Sequence, residues 1–245
     1  LITKNEEANI SRTLRSIHGF ASEIIIVDSG STDNTETIAL EYNAKFFSEE
    51  WKGFASQKNS ALGKCTQTWI LCIDADEVPD EKFKAAVESI INSDSPYSYK
   101  INIKSYYLGK LLNHCWQPEW KLRLVRRDAN PKWLGDEVHE SIITDNDVRK
   151  CEGSVIHYSY RDVEHHKQKI ELYSELSAKA MQKMGKTAGI LNLILNPAIN
   201  FLKMYIILQR GFLDGYPGYM ASIISSKGTY LKYKKLRKLN KDKKI

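Results

Sequence analysis

Residues 24–35 read IIIVDSGSTDNT. An unbroken run of β-branched residues, with no polar residue between them, is the pattern of a strand buried on both faces. The run stops at Asp28, crosses the small residues Ser29, Gly30 and Ser31, and reaches Asp33. NTETIALEY (34–42) then has helical composition, and Glu36 lies three residues beyond Asp33, the spacing of a capping box. This stretch predicts a strand, an acid at its end, a tight turn and a helix. An N-cap and a turn account for Asp33 and the serines. They leave Asp28 without a reason.

A second apolar run, WILCIDADEV (69–78), also ends in acids, with KFFS (45–48) and LIT (1–3) as weaker strand candidates. Helical segments alternate with them: Ile10, Leu14 and Ile17 recur at helical steps, and FASQKNSALGK (54–64) precedes the second run. Such strand–helix–strand repeats specify an α/β fold with a mostly parallel, mixed sheet and right-handed crossovers. Ligands of these sheets bind beyond the carboxyl ends of the strands, where Asp28 and Asp74 fall. An acid at that edge is placed to accept a hydrogen bond from a base N–H or a ribose hydroxyl.

Asp74 and Asp76 lie two apart just past a strand and repel each other unless a cation shares the site. Hard carboxylate oxygens suit Mg²⁺ or Mn²⁺, which keep waters and take further ligands from a diphosphate. Two other readings stay open. Asp76 or Asp80 caps a helix at EKFKAAVESIIN (81–92), or DADEV is the nucleophile motif of an aspartyl-phosphate phosphatase. The phosphatase motif belongs on a first strand, whereas three strand candidates precede it here.

The chain has 245 residues, enough for one sizeable core, and its 27% charged content is ordinary for a globular protein. Cys65, Cys72, Cys115 and Cys151 are scattered without a C-x-x-C pair, which predicts free thiols in a reducing compartment. The net charge of +6 is uneven. Residues 227–245 hold nine Lys or Arg against one Asp, leaving the other residues slightly acidic. Such a tail is either solvated or a contact for anionic lipid or nucleic acid. Only Tyr230 and Tyr233 interleave it, which argues against single-stranded nucleic acid.

The chain resembles the inverting family 2 glycosyltransferases of GT-A fold, through TKNEE (3–7), VDSGSTDNT (27–35), GFASQKNSAL (53–62), DADE (74–77) and RLVRR…GDEVHE (123–140). Within that family it is most similar to the lipopolysaccharide core glucosyltransferases, through HYSY (157–160) and GFLDGYPGY (211–219). The resemblance implies a UDP-sugar donor, a glycolipid core acceptor and a divalent metal. It also assigns roles. Thr3, Asn5, Glu6 and Ser29 would line the nucleotide pocket, with Asp28 as uracil partner and Asp33 ordering the same loop. Gln57 and Lys58 would approach the base or diphosphate, and Asp74 the ribose or metal. Asp76 would bind the metal, and His157 would complete its site. Glu140 would be the general base, with Asp136 as the next candidate and His139 as a substrate contact. A structural His or a surface Glu remain the plain alternatives for His157 and Glu140. Trp116, Trp120, Tyr106 and Tyr107 offer flat faces to a sugar, and Arg123, Arg126 and Arg127 offer charge to acceptor phosphates; packing and solvated surface explain them equally well.

The expected division is a catalytic domain over 1–160 and a helical extension over 161–245. The extension begins with a helix at 162–184, in which Ile170, Tyr173, Leu176 and Ala180 share a face. ILNLILNPAINFLKMYIIL (190–208) is strongly apolar, yet Asn192, Asn196, Asn200 and Lys203 interrupt it. Asn196 and Pro197 predict a helix restart there. This apolar surface requires cover by protein, by a second subunit or by lipid. With the basic tail it predicts peripheral attachment to an anionic leaflet, at the cytoplasmic face of an inner membrane. A non-catalytic membrane or anionic-polymer binder on the same scaffold is the competing class.

Overall fold

The structure, a computed structural model, describes residues 1–135 and 140–242. The chain opens with β1 (Ile2–Thr3), α1 (Glu7–Ile17), β2 (Ile25–Asp28), α2 (Thr35–Glu41) and β3 (Lys45–Ser48). β2 lies between β1 and β3 and runs parallel to both, with Val27 opposite Ile2 on one side and Phe47 on the other. All of β2 is buried, as its uninterrupted apolar run requires, whereas β3 is largely exposed as an edge. α1 buries Ile10, Leu14 and Ile17 in a core shared with Ile24, Ile26 and Ala39. Full burial of one such side chain stabilises by about 1.5–3 kcal/mol.

α3 (Phe54–Lys64) leads to β4 (Trp69–Leu71), β5 (Glu77–Pro79) and α4 (Glu81–Asn92). Asp80 caps α4, its side chain accepting from the Phe83 N–H at 2.7 Å, so the helix-cap reading belongs to Asp80 and not to Asp76. Then follow β6 (Ser98–Tyr107), β7 (Lys110–Leu111), β8 (Trp120–Arg126), β9 (Lys132–Leu134), β10 (Ser141–Ile143) and β11 (Val148–His157). A second sheet has the order β4-β8-β6-β11-β5, with β7 on β6. β4–β8, β8–β6 and β11–β5 are antiparallel while β1–β2–β3 is parallel, which gives the fold its mixed character. Ile101, Ile103 and Tyr107 of β6 are buried at every second residue, the alternation expected of a strand with one covered face. In β11, Gly153 has φ +78°, and a Cβ there would lie 2.2 Å from the Phe83 nitrogen of α4. Only glycine allows α4 to pack so closely.

The last elements are α5 (Val163–Lys183), α6 (Ile190–Leu202), a π-helical turn at Lys203–Ile207, a short 3₁₀ turn at Gly211–Asp214, and α7 (Tyr216–Asp242). Two compact units emerge. One is Leu1–Ile103 with Glu119–Tyr158, and the other is Lys104–Pro118 with Ser159–Ile245. The segment 104–118 thus groups with the helices and not with the residues that flank it in sequence. Tyr107, Leu112 and Cys115 pack with Met204 and Ala221. Buried Asp214 accepts the backbone N–H groups of Asn113, His114 and Cys115 at 3.1, 3.1 and 2.7 Å. That clamp, with Gly218 against the Gly211 carbonyl where no Cβ would fit, accounts for the GFLDGYPGY stretch.

The expected helix restart at Asn196–Pro197 is corrected. α6 runs unbroken through Pro197. Proline forfeits a single intrahelical bond, to the Leu193 carbonyl, and packing along α7 carries the helix past it. The cysteines are free, as their scatter predicts.

Candidate active site

The loop after β1 and the turn after β2 are stitched together side by side. The Asp28 carboxylate, at the end of β2, accepts Thr3 Oγ1 at 2.8 Å and Ser31 Oγ at 2.6 Å on one oxygen. Its other oxygen accepts the Gly30 and Ser31 N–H groups at 2.8 and 2.7 Å. Burial alone would raise its pKa, but these donors outweigh it and hold the group below the ordinary carboxylate range. Ser29 donates to the Thr3 carbonyl, Asn5 Oδ1 accepts the Thr32 N–H, and the Glu6 N–H donates to Thr35 Oγ1. Asp33 accepts the Thr35 and Glu7 N–H groups rather than capping α2 from the N-cap position, which Asn34 occupies. The result is a rim of polar groups in which Thr3, Asn5, Glu6, Ser29 and Asp33 all take part.

α3 presents Gln57 and Lys58 inward, and both are buried. Gln57 is completely covered, and neither of its side-chain polar atoms has a hydrogen-bond partner among the described residues. Lys58 Nζ lies 3.0 Å from Glu140 Oε1 and 3.3 Å from Asp74 Oδ1, over the Trp133 ring at 4.5 Å. Asn59 fixes this arrangement by exchanging two 2.8 Å hydrogen bonds with the Trp133 backbone in β9. Residues 82 apart in sequence, Lys58 and Glu140, therefore meet because α3 docks on the β9–β10 ribbon.

Asp74 follows β4. Its other oxygen is 2.9 Å from Arg123 of β8, whose guanidinium also stands 3.6 Å from Glu77. Burial opposes the charge on Asp74, yet Arg123, Lys58 and His157 together hold its pKa well below the usual range. Glu77 moves the opposite way: burial and the Asp74 charge raise it, against the pull of Arg123. Asp76 Oδ2 is 3.2 Å from His157 Nε2 on β11. Burial disfavours a charged His157, but the Asp76 hydrogen bond and the surrounding carboxylates raise its pKa. Among the described residues no group of three or more His, Cys, Asp or Glu is arranged to hold a metal ion. Asp76 and His157 supply two donors side by side.

A cavity of about 710 Å³ opens beside Glu140, lined among others by Trp120, Arg123, Trp133, Lys100 and Lys121. The structure thus brings Lys58, Asp74, Asp76, Glu140 and His157 into one neighbourhood linked through Arg123 and Glu77. Those two connecting residues were not singled out for this role from sequence. Arg123 was matched to acceptor phosphates and instead pairs with Asp74, because it points from β8 into the buried side of the sheet. Arg126 pairs with Asp94 and Asp128. Asp136 and His139 lie outside the described residues. DADEV follows the fourth strand of the chain, not the first, and Asp74 is pinned by two cations, an arrangement unlike the phosphatase motif.

Residues 1–139 match the family described as glycosyl transferase family 2. Over 252 residues the chain is 32% identical to an uncharacterized glycosyltransferase of Rickettsia typhi, covering 98% of this chain and 86% of that protein. It is 31% identical to the lipopolysaccharide core biosynthesis glycosyltransferase LpsC of Rhizobium meliloti, covering 95% of this chain and 91% of that one. Among solved structures, residues 1–349 of S. aureus TarS superpose with a TM-score of 0.42 at 14% identity, covering 99% of this chain and 90% of that chain. By its sequence match over more than half its length and by relatives that align nearly end to end, the chain belongs to glycosyl transferase family 2, a glycosyltransferase of GT-A fold.

Proposed function

We propose that the chain transfers a sugar, in the first instance glucose, from its UDP conjugate to the core oligosaccharide of a lipopolysaccharide, with inversion at the sugar carbon. The observation that carries this reading is the placement of Glu140: a half-buried carboxylate at the mouth of a cavity, oriented by Lys58, beside acids at the strand ends. The acceptor class is supported by the LpsC relative, and the donor by the resemblance of the two acidic motifs to nucleotide-sugar enzymes.

Asp28 and its rim receive the nucleoside. A carboxylate offers about four acceptor sites, and all are used within the chain, so a uracil N–H would exchange for one of them, the Ser31 hydroxyl most easily. Gln57, buried with no hydrogen-bond partner for its side chain among the described residues, would gain one from the donor. Asp74, Glu77 and Glu140 set three carboxyl groups against the Lys58 and Arg123 cations, so a diphosphate meets an acidic site. That imbalance fits a divalent cation, Mg²⁺ or Mn²⁺, held by Asp76 and His157 with the rest of its ligands from diphosphate and water. When bound, such an ion sets positive charge against the departing diphosphate. Glu140 Oε accepts the proton of the acceptor hydroxyl as its oxygen bonds to the sugar C1 and the C1–O bond to diphosphate breaks, the electron pair leaving with UDP. Trp120 and Trp133 give the acceptor cavity flat apolar faces.

Thermal denaturation with UDP, UDP-glucose and other nucleotide sugars, with and without Mn²⁺, tests the reading. A ligand at a hundred times its Kd stabilises by about 2.7 kcal/mol, and the gain is expected only with the cation present. Asp76→Asn is expected to remove the cation-dependent part. Indifference to every UDP-sugar with either metal would reject the donor assignment.

A further inference from the structure

α6 is amphipathic in the wrong sense for a helix in water. Asn192, Asn196 and Asn200 fall four apart, and all three are half-buried. Asn192 accepts the Gly189 N–H, and Asn200 reaches Ser226 Oγ of α7. The outward residues are Leu191 (69% exposed), Ile194 (62%), Leu195 and Ile199, and the surface continues through Ile206, Ile207 and Leu208 (70%) to Phe212 and Leu213. No residue of α6 itself is buried, which removes the reading of this segment as a core helix. A helix that turns asparagines inward and isoleucines and leucines outward has its stable orientation where the outside is apolar.

The charge around this face decides what covers it. α6 and α7 run antiparallel: Met204 shares a cluster with Ala221, Asn200 meets Ser226, and Asn240 donates to the Lys186 carbonyl. The basic half of α7 therefore runs back toward the start of α6. It carries Lys227, Lys234, Lys238 and Lys241 exposed. Residues 190–208 contain no acid and one base, Lys203. We propose that the outward face of α6, with the turn that follows it, lies in the headgroup boundary of a lipid bilayer, and that the lysines of α7 hold it to an anionic leaflet. Ile190–Ile207 is long and apolar enough to cross a membrane by length and composition. Crossing is disfavoured because α7 packs along α6 and would bring its lysines into hydrocarbon. A second copy is a poorer occupant than lipid, since it brings the same cationic helix and supplies no opposite charge.

The test is co-flotation of the whole chain with vesicles of phosphatidylcholine alone or with one-third phosphatidylglycerol, at low and high salt, without donor or acceptor. The outcome is thus independent of the transferase reading. Wild type is expected to float with the anionic vesicles and to be weakened by salt. Leu191→Gln/Ile194→Gln/Leu195→Gln, at three residues each at least half exposed, is expected to bind at least about tenfold more weakly at either salt. Lys227→Gln/Lys234→Gln/Lys238→Gln/Lys241→Gln is expected to lose roughly fivefold per lysine at low salt, 1 kcal/mol each, and most of its salt sensitivity. Circular dichroism checks that both variants keep the wild-type helix content. The proposal is overturned if wild type ignores anionic vesicles, if either folded variant binds as wild type does, or if the apolar substitutions only convert a dimer to a monomer in light scattering.

Discussion

At Glu140 and Arg123 similar surroundings lead to opposite expectations. Glu140 is partly open to the cavity and, among the described residues, pairs with Lys58. Glu140→Gln keeps its shape, so donor affinity is expected to stay within a few-fold while turnover falls by about 10²–10⁴. Initial rates and donor titration of the same preparation separate the two. Arg123 is buried between Asp74 and Glu77. Arg123→Met would strand those carboxyl groups, and a loss of about 3–5 kcal/mol in urea unfolding is expected. Sequence exposed these two residues unequally. The acids at 28, 74 and 76 stand out in the sequence because negative charge at the end of an apolar strand needs a reason, whereas Glu140 is reached only through the family resemblance. Arg123 does not stand out, since KLRLVRR (121–127) mixes bases with apolar residues and nothing in it says which arginine turns inward. The Lys58–Glu140 contact was equally hidden, as it depends on how Asn59 grips β9.

Elements were easier to read than contacts. α3, α4 and β3 were delimited by caps, turns and periodicity within a residue of their final bounds, because local preferences and packing agree there. α6 is the exception. Asn-Pro reads locally as a start, but packing along α7 carries the helix through it. Tight packing also sets the element-scale prediction. Gly153 combines a left-handed φ with contact against the α4 backbone. Gly153→Ala demands a shift of backbone rather than of a side chain, and a destabilisation of about 2–4 kcal/mol is expected in the unfolding midpoint. Gly63→Ala, in α3 with open space at the Cβ, is expected to be neutral or slightly stabilising and serves as its control.

For the molecule as a whole, pH acts through buried groups more than through net charge. His166 is fully buried, with Nδ1 sharing a 2.8 Å hydrogen bond with Tyr107 Oη and Tyr160 stacked on its ring. Burial, then His165 and Lys169, lower its pKa to about 4. The folded state keeps the ring neutral while the unfolded state takes a proton near pH 6.5. The stability this group contributes is therefore complete above that pH and is lost as pH falls toward 4, by about 1.4 kcal/mol per unit and roughly 3 kcal/mol in all. Asp28, whose pKa is also depressed, loses its contribution only at lower pH, below the ordinary carboxylate value. Urea unfolding from pH 7.5 to 4.5 is expected to show the first loss in wild type and not in His166→Phe.

The polypeptide visits the helical unit twice, first as residues 104–118 and again after residue 158. Any attempt to graft the C-terminal third of a relative onto this enzyme would leave the native segment facing foreign helices, its three amides aimed at whatever replaced Asp214. Recombinants that exchange both stretches together should express; those with one crossover near the middle should not. Inheritance of the two pieces as a linked pair is thus written into the wiring of the backbone.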